Sequence, residues 1–313
     1  MKEILEAAER IRPYVRRTPL LRTDLDERLR LKAECFQVTG SFKARGANNA
    51  IVAKRAADPS MKGVIAVSSG NHAQALALAA RSAGLKAVVI IPADANPEKV
   101  QLTRDYGAQV IQDGVTFANR EQRLREEIKG SGLVLIHPFD DWDVIHGQAT
   151  VAMEMLDEDP AIEMIVTPCG GGGLLSGSAL WAKHVNPAIR VIGVEPAAAD
   201  DAARSLHSGR LVSLEDSPVT IADGVRALSM GKRTFEVIVT RGLVDDIVTV
   251  TEDEIAEGVR VAWLRLHLAL EPTGALPLAA FLAGKLPAAP SVIGLILTGG
   301  NADRAVVSRL LAL

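Results

Sequence analysis

Short runs of aliphatic and β-branched residues alternate with longer stretches rich in Ala, Glu, Arg and Leu along most of this chain, and that alternation leaves few folds open. Strands separated by helices must pair in parallel, since only a tight turn reverses the chain onto its neighbour. Residues 64–67, 87–91, 109–111 and 133–136 read as four such strands and make a small α/β lobe. A second series starts with a helix over residues 142–156, continues through strands at 164–168 and 191–194, and closes with a strand at 293–297 and a final helix. This series gives a larger lobe, and the cleft between the two is the expected ligand site.

Composition narrows the class of ligand. With 48% of its 313 residues apolar, the chain has the material for a large core. A net charge of −3 and no basic tract argue against nucleic acid, so a small anionic metabolite is the more natural partner. Cys35 and Cys169 stand far apart without metal-ligand spacing, which fits a reducing compartment. Residues 1–13 read as a charged amphipathic helix without the apolar centre of a signal peptide. No apolar run reaches membrane-spanning length free of charges. A soluble, cytoplasmic protein that needs no membrane is expected.

Four segments carry chemistry. Lys43 lies in Thr39-Gly40-Ser41-Phe42-Lys43-Ala44-Arg45-Gly46-Ala47, between a Gly-Ser turn and the small-residue start of a helix. A lone lysine is usually a surface residue, because its ammonium is costly to bury unpaired. Ser68-Ser69-Gly70-Asn71-His72-Ala73-Gln74, Gly170-Gly171-Gly172-Gly173-Leu174 and Leu297-Thr298-Gly299-Gly300-Asn301 each fall at a strand-to-helix junction, where α/β folds present their ligands. The four glycines follow an apolar strand and precede a helical pattern. Without Cβ atoms, such a backbone can turn its N–H groups inward at a helix N-terminus and attract phosphate. The same residues approximate a dinucleotide fingerprint, Gly171-x-Gly173-x-x-Ser176, with Glu195 after the next strand. A nicotinamide oxidoreductase is thus a remote alternative, weakened by Ser at the third position and by the unexplained Lys43, Asn71 and Thr298 segments.

Taken together, the four segments resemble the pyridoxal-phosphate enzymes of the tryptophan-synthase-β fold type (fold type II), in the threonine dehydratase and serine racemase branch. The resemblance spans nearly the whole chain. It implies a two-lobed α/β fold with parallel-rich sheets, pyridoxal 5′-phosphate in the interlobe cleft, a discontinuous large domain over 1–50 and 141–313, and a small domain over 51–140. Lys43 would bond the cofactor aldehyde and, once displaced by the substrate amine, act as general base at Cα. Phe42 would pack on the pyridine ring. Gly170, Gly171, Gly172, Gly173 and Leu174 would hold the phosphate, Asn71 the ring hydroxyl, and Glu271 of Glu271-Pro272-Thr273-Gly274-Ala275 would lie near the ring. Ile221-Ala222-Asp223-Gly224-Val225 also matches the family pattern. Thr298 stands where the family places a hydroxyl, usually Ser, beside the pyridine nitrogen. A hydroxyl cannot keep that nitrogen protonated as a carboxylate would, which suits elimination. Ser68, Ser69, Gly70, Asn71 and His72 would grip the substrate carboxylate, with His72 itself reading as structural. An ordinary helix N-terminus would favour the same Ser and Asn residues.

The resemblance extends to a metal. Glu195-Pro196-Ala197-Ala198-Ala199-Asp200-Asp201 is similar to a cation loop whose ligands would be Glu195, the carbonyl of Ala199, and Asp201, suited to Mg²⁺ or Ca²⁺. The competing reading makes Asp200 or Asp201 a helix cap. His146 and Ala149 replace small residues of the family pattern, and His146 would alter the cleft if it faced it. The expected activity is a threonine and serine ammonia-lyase, giving 2-oxobutanoate from L-threonine and pyruvate from L-serine. Serine racemase, alone or combined with elimination, and hydroxyaspartate dehydratase are the alternatives, with Ser69 the residue that could return a proton from the face opposite Lys43. A hydroxy amino acid is the expected partner, and a homodimer or homotetramer the expected assembly. Only residues 302–313 follow the last turn, so feedback by isoleucine through a C-terminal regulatory domain is not expected.

Overall fold

The computed structural model describes residues 1–287 and 291–311. Among these, ten strands form two sheets. In chain order they are β1 Leu20–Leu21, β2 Leu29–Ala33, β3 Gly63–Val67, β4 Lys86–Ile90, β5 Gln109–Ile111, β6 Leu133–Leu135, β7 Met164–Pro168, β8 Arg190–Pro196, β9 Asp246–Val250 and β10 Ile293–Leu297. The larger sheet has the order β1-β2-β10-β7-β8-β9 and the smaller β5-β4-β3-β6. Of the strand pairs among the described residues, β1–β2 is antiparallel and the others are parallel, as crossover helices require.

The strands expected at 64–67, 87–91, 109–111, 133–136, 164–168, 191–194 and 293–297 are all present, with ends moved by a residue or two. The helix expected over 142–156 runs Trp142–Glu158. Its start is fixed by the Asp141 carboxylate, which accepts from the Asp143 N–H. Lys2–Ile11 is helical, and its Ile4, Ala7 and Ile11 are buried at helical spacing. Three strands, β1, β2 and β9, have no counterpart in the sequence pattern. All five residues of β2, Arg30 and Lys32 included, are buried, so its charges mask its pattern.

The pairing of β10 positions the site. This last strand inserts between β2 and β7, with Ile293 opposite both Leu29 and Met164. Because all three run in parallel, their carboxyl ends open on one edge, where α/β sheets bind ligands. Leu29, Leu31, Val166, Ile192, Leu295 and Leu297 form the core on one side of this sheet, under the helices Glu252–Leu264 and Pro272–Leu282. The helix Lys43–Ala57 packs against the helix Trp142–Glu158 and against Asn71–Ser82 of the smaller sheet.

A buried charge cluster locks that helix. The Arg45 guanidinium meets Glu34 at 2.7 Å and Glu154 at 2.7 Å, while Lys32 meets Glu154 at 2.7 Å and donates to the Thr18 carbonyl at 2.6 Å. Arg45, Lys32 and Glu34 are fully buried. Removing one member of such a set strands the others without water. Arg45→Met is therefore expected to cost about 3–5 kcal/mol, read as a lower midpoint in chemical denaturation. A midpoint equal to that of the wild type would show that the cluster gives no net stability.

Candidate active site

A cleft of about 890 Å³ opens between the two sheets. Phe42, Lys43, Ser68 to His72, Gly170 to Leu174, Glu271 and Thr298 all line it, so segments distant in sequence meet there. Glu195, Ala199 and Asp201 do not.

Lys43 is the first residue of its helix and is partly buried. Its Nζ donates to the Pro138 carbonyl at 2.8 Å and lies 5.2 Å from the centre of the Phe42 ring. Burial, with no carboxylate partner among the described residues, pushes the ammonium down to about 8. The loop before it is tied to the end of β10: the Phe42 N–H donates to the Thr298 carbonyl, Ser41 bridges Gly299, and the Gly300 N–H donates to the Gly40 carbonyl. One rigid junction thus sets both Lys43 and Thr298. The Thr298 hydroxyl is 1% exposed and has no hydrogen-bond partner among the described residues, an orphan that a ligand nitrogen would satisfy.

Opposite, the glycine loop enters the helix Gly173–Val185. Gly172 has φ +87°, which only glycine holds without strain. A Cβ on Gly171 would stand 2.3 Å from the Phe139 ring. The loop is therefore a packed cradle at a helix N-terminus, suited to an anion. From the smaller sheet, Asn71 starts the helix Asn71–Ser82. Its Nδ2 donates to Glu271 at 2.6 Å, and its Oδ1 accepts from Asn301 at 2.8 Å. Glu271 is 2% exposed, and burial, with Asp223 nearby, raises its carboxyl to about 7. Lys99 pairs with Asp223 beside it.

His72 is buried, with Nε2 3.0 Å from the Ile136 carbonyl. Because that carbonyl only accepts, Nε2 carries the proton. Burial and the charge of Lys43 push the imidazole down to about 3, so it stays neutral. Ser68 accepts from the Gly70 N–H at 3.3 Å, and Ser69 is exposed at the cleft. His146 does not line the cleft: it stacks on Trp142 with ring centres 5.8 Å apart, and Arg241 also lies over the Trp142 ring. Sequence reasoning overlooked Pro138, Phe139 and Arg120. Arg120 lies at the cleft with its guanidinium 3.2 Å from the centre of the Phe117 ring.

The loop after β8 differs from the capping alternative. Asp200 and Asp201 supply no side-chain cap to the helix Asp201–Ser208. Glu195 does so instead, accepting from the Ala202 N–H at 3.3 Å and the Ala203 N–H at 2.9 Å. Its carboxyl is pushed well up by burial and by Asp201, and that of Asp201 is pushed up to about 7 by burial. Oδ2 of Asp201 has no partner among the described residues. Two adjacent buried acids with a free oxygen fit a cation. Among the described residues, no group of three or more His, Cys, Asp or Glu side chains could hold a metal, so backbone oxygens and water would have to complete the shell.

A lysine held near neutrality, facing a glycine anion cradle and an unsatisfied hydroxyl at the carboxyl edge of a parallel sheet, defines an α/β enzyme for a phosphorylated, amine-reactive cofactor. The family model for pyridoxal-phosphate dependent enzymes matches residues 11–299, and the chain belongs to that family. A serine racemase of Oryza sativa subsp. indica is 43% identical over 97% of this chain and 91% of its own. The L-threo-3-hydroxyaspartate ammonia-lyase of Saccharomyces cerevisiae is 42% identical over 96% and 93%. Among solved structures, a T.th. threonine deaminase matches with TM-score 0.90 and 47% identity, over 97% of this chain and 98% of that one. Maize serine racemase matches with TM-score 0.92 and 40% identity, over 99% and 96%. The fold is fold type II of the pyridoxal-phosphate enzymes.

The state of Lys43 gives a direct expectation. Only its neutral amine attacks an aldehyde, so capture of pyridoxal 5′-phosphate by the apoprotein should slow about tenfold per pH unit below about 8. It should level off above that value. Stopped-flow absorbance of the bound cofactor measures this. A rate still climbing at pH values about two units higher would show that burial does not depress this amine.

Proposed function

We propose that this enzyme racemises serine and, as a partial reaction at the same site, eliminates water and ammonia from β-hydroxy amino acids. Threonine ammonia-lyase, the main expectation from sequence, keeps support from the threonine deaminase structure, but serine racemases and hydroxyaspartate ammonia-lyases recur among the curated relatives and support the alternative at least as well. The observation that carries the reading is that two walls of one cleft each present a proton-handling group. Lys43 comes from the larger sheet's side, and Ser69 from the loop after β3. The Ser69 side chain is exposed to the cleft and free to meet a ligand. In this reading residues 51–140 form the small domain, and 1–50 with 141–313 the large one.

Bound in the cleft, the cofactor supplies an electron sink that acidifies the substrate Cα–H bond. The chain's own residues do the rest. Gly170 to Leu174 bind the phosphate through backbone N–H groups, and the Ser68 to His72 loop binds the substrate carboxylate at a second helix N-terminus. Phe42 backs the ring, Asn71 donates to its hydroxyl, and the Thr298 hydroxyl satisfies its nitrogen. Lys43 takes the proton from Cα of one enantiomer. Ser69 returns a proton to the other side of Cα, which inverts the centre. If the β-hydroxyl leaves first, hydrolysis of the product gives a 2-oxo acid and ammonia: pyruvate from serine and 2-oxobutanoate from threonine.

A second reading, 3-hydroxyaspartate ammonia-lyase, is favoured by Arg120. Its guanidinium lies at the cleft, donates to the Phe117 carbonyl at 3.1 Å and makes no ion pair among the described residues. Such a group would receive the second carboxylate of a dicarboxylic substrate.

A substrate panel scored for both keto acid and D-amino acid separates these readings. Ser69→Ala should abolish D-serine formation and D-serine breakdown while leaving most L-serine elimination, whereas Lys43→Ala should lose both. Unchanged product ratios in Ser69→Ala would reduce Ser69 to a carboxylate-binding loop residue. We also propose that Mg²⁺ or Ca²⁺ binds at Glu195, the Ala199 carbonyl and Asp201. At a cation concentration near 100 times Kd, the folded state should gain about 2.7 kcal/mol. That gain is read as a raised melting temperature which Asp201→Asn abolishes. Melting curves that coincide with and without chelator would remove the metal from this account.

A further inference from the structure

We propose that Asn301 is a positioning residue that fixes the carboxamide of Asn71, so that Asn71 offers its NH2 group, and not its oxygen, to the cofactor. This rests on the cofactor reading above. An asparagine side chain can be turned end for end at little cost in shape, and only its partners decide which end faces a ligand. Here the partners form a directed chain. The Nδ2 of Asn301 donates to the Thr39 carbonyl at 2.7 Å and to Oδ1 of Asn71 at 2.8 Å. The Nδ2 of Asn71 then donates to Glu271 at 2.6 Å.

The Thr39 end sets the direction of the chain. The Thr39 carbonyl can only accept, so Asn301 must present its NH2 group there, and the second hydrogen of that same group is left for Asn71. Asn71 must answer with its oxygen, which turns its own NH2 group into the cleft toward Glu271. Reversing Asn301 would set its oxygen against the Thr39 carbonyl, and reversing Asn71 would set its NH2 group against that of Asn301. The Asn301 side chain is itself held from behind, since a Cβ on Gly40 would stand 2.5 Å from Oδ1 of Asn301. Gly40 has φ +71°, so the close approach and the turn both require glycine.

The same amide steadies the route to the lysine. Thr39 is buried and has φ +62°, a left-handed conformation that costs a β-branched residue energy. Its carbonyl is the one Asn301 holds, four positions before Lys43. One carboxamide therefore joins the turn that launches Lys43, on the larger sheet's side, to Asn71 on the smaller sheet's side.

The test uses holoenzyme resolved of cofactor and retitrated with pyridoxal 5′-phosphate. It compares wild type, Asn301→Asp, Asn301→Ala, Asn71→Ala and the double variant Asn71→Ala/Asn301→Ala. Asn301→Asp keeps the shape but sets an acceptor against two acceptors. It should weaken cofactor binding about tenfold or more and move the absorption of the bound cofactor toward that of Asn71→Ala, with the melting temperature of the apoprotein little changed. In the Asn71→Ala background, Asn301→Ala should add no more than about twofold, because the group it orients is gone. Should Asn301→Asp fail to fold, this cycle with alanine decides alone. Wild-type affinity and spectrum in the Asn301 variants, or a full additional loss in the double variant, would overturn the inference. Wild-type protein that takes up no cofactor would instead overturn the reading beneath it.

Discussion

The Arg45 guanidinium, buried between Glu34 and Glu154, is the contact on which the site's geometry depends. Arg45 lies two residues after Lys43 on one helix, and two residues turn the helix by roughly 200°. Anchoring Arg45 on the inner side therefore aims Lys43 at the cleft. The carboxylates that hold it come from the end of β2 and from the helix Trp142–Glu158, so three separate segments are locked in one relative position. Burying Arg45, Lys32, Glu34 and Glu154 together is costly in desolvation, and an apolar cluster of equal volume often serves stability as well. What an apolar cluster lacks is direction. The planar guanidinium accepts only partners placed in its own fork, which makes this cluster a device for orientation as much as for cohesion.

From that anchor the chemistry of the cleft follows by burial. Lys43 is driven down toward neutrality and Glu271 up toward it, and both move toward the uncharged form because the same low-dielectric wall penalises each ion. Two helix N-termini, one after β7 and one after β3, open on the same cleft and would offer backbone N–H groups to an anion. The glycine loop carries no charged side chain, so any hold on an anion there would come from its backbone geometry. Its glycines are packed closely against Phe139 and Val225, which fixes that geometry.

Seven strands were legible from their short aliphatic runs: β7 and β10 are buried throughout, while β5 and β6, at the edges of the smaller sheet, are only partly buried and were marked by β-branched and aliphatic residues alone. The sequence hid β2, because Arg30 and Lys32 interrupt the run, and their neutralising partners Asp159 and Glu154 lie far away along the chain. It hid β9, which opens with Asp246 and carries Thr249. In the site, every residue with a chemically distinctive side chain and local motif was legible: Lys43, Asn71, the glycines and Thr298 do meet in one cleft. Pro138 was not, because it contributes only a carbonyl, and any residue has one. The capping of the helix Asp201–Ser208 by Glu195 was also invisible. Two acids stood nearer in sequence, and only the turn after β8 brings the more distant one to the helix end.

Racemisation and elimination share their first step, so the groups that perform it cannot decide between them. In the proposed reading Lys43, the glycine loop and the Thr298 hydroxyl would serve either outcome equally. The choice lies in a competition at the deprotonated carbon, between a proton arriving from the second face and a hydroxyl departing from Cβ. In the proposed reading the first would depend on Ser69, which is exposed at the cleft. The second would depend on how firmly the side chain of the substrate is held, and the cleft offers Arg120 there, beside Phe117 and Leu124. A carboxylate on the substrate side chain would, in the same proposed reading, pair with Arg120, and serine has no such group. On that proposal one cleft would invert a small substrate and break down a larger acidic one, the difference lying at Arg120 and not at the residues beside Cα.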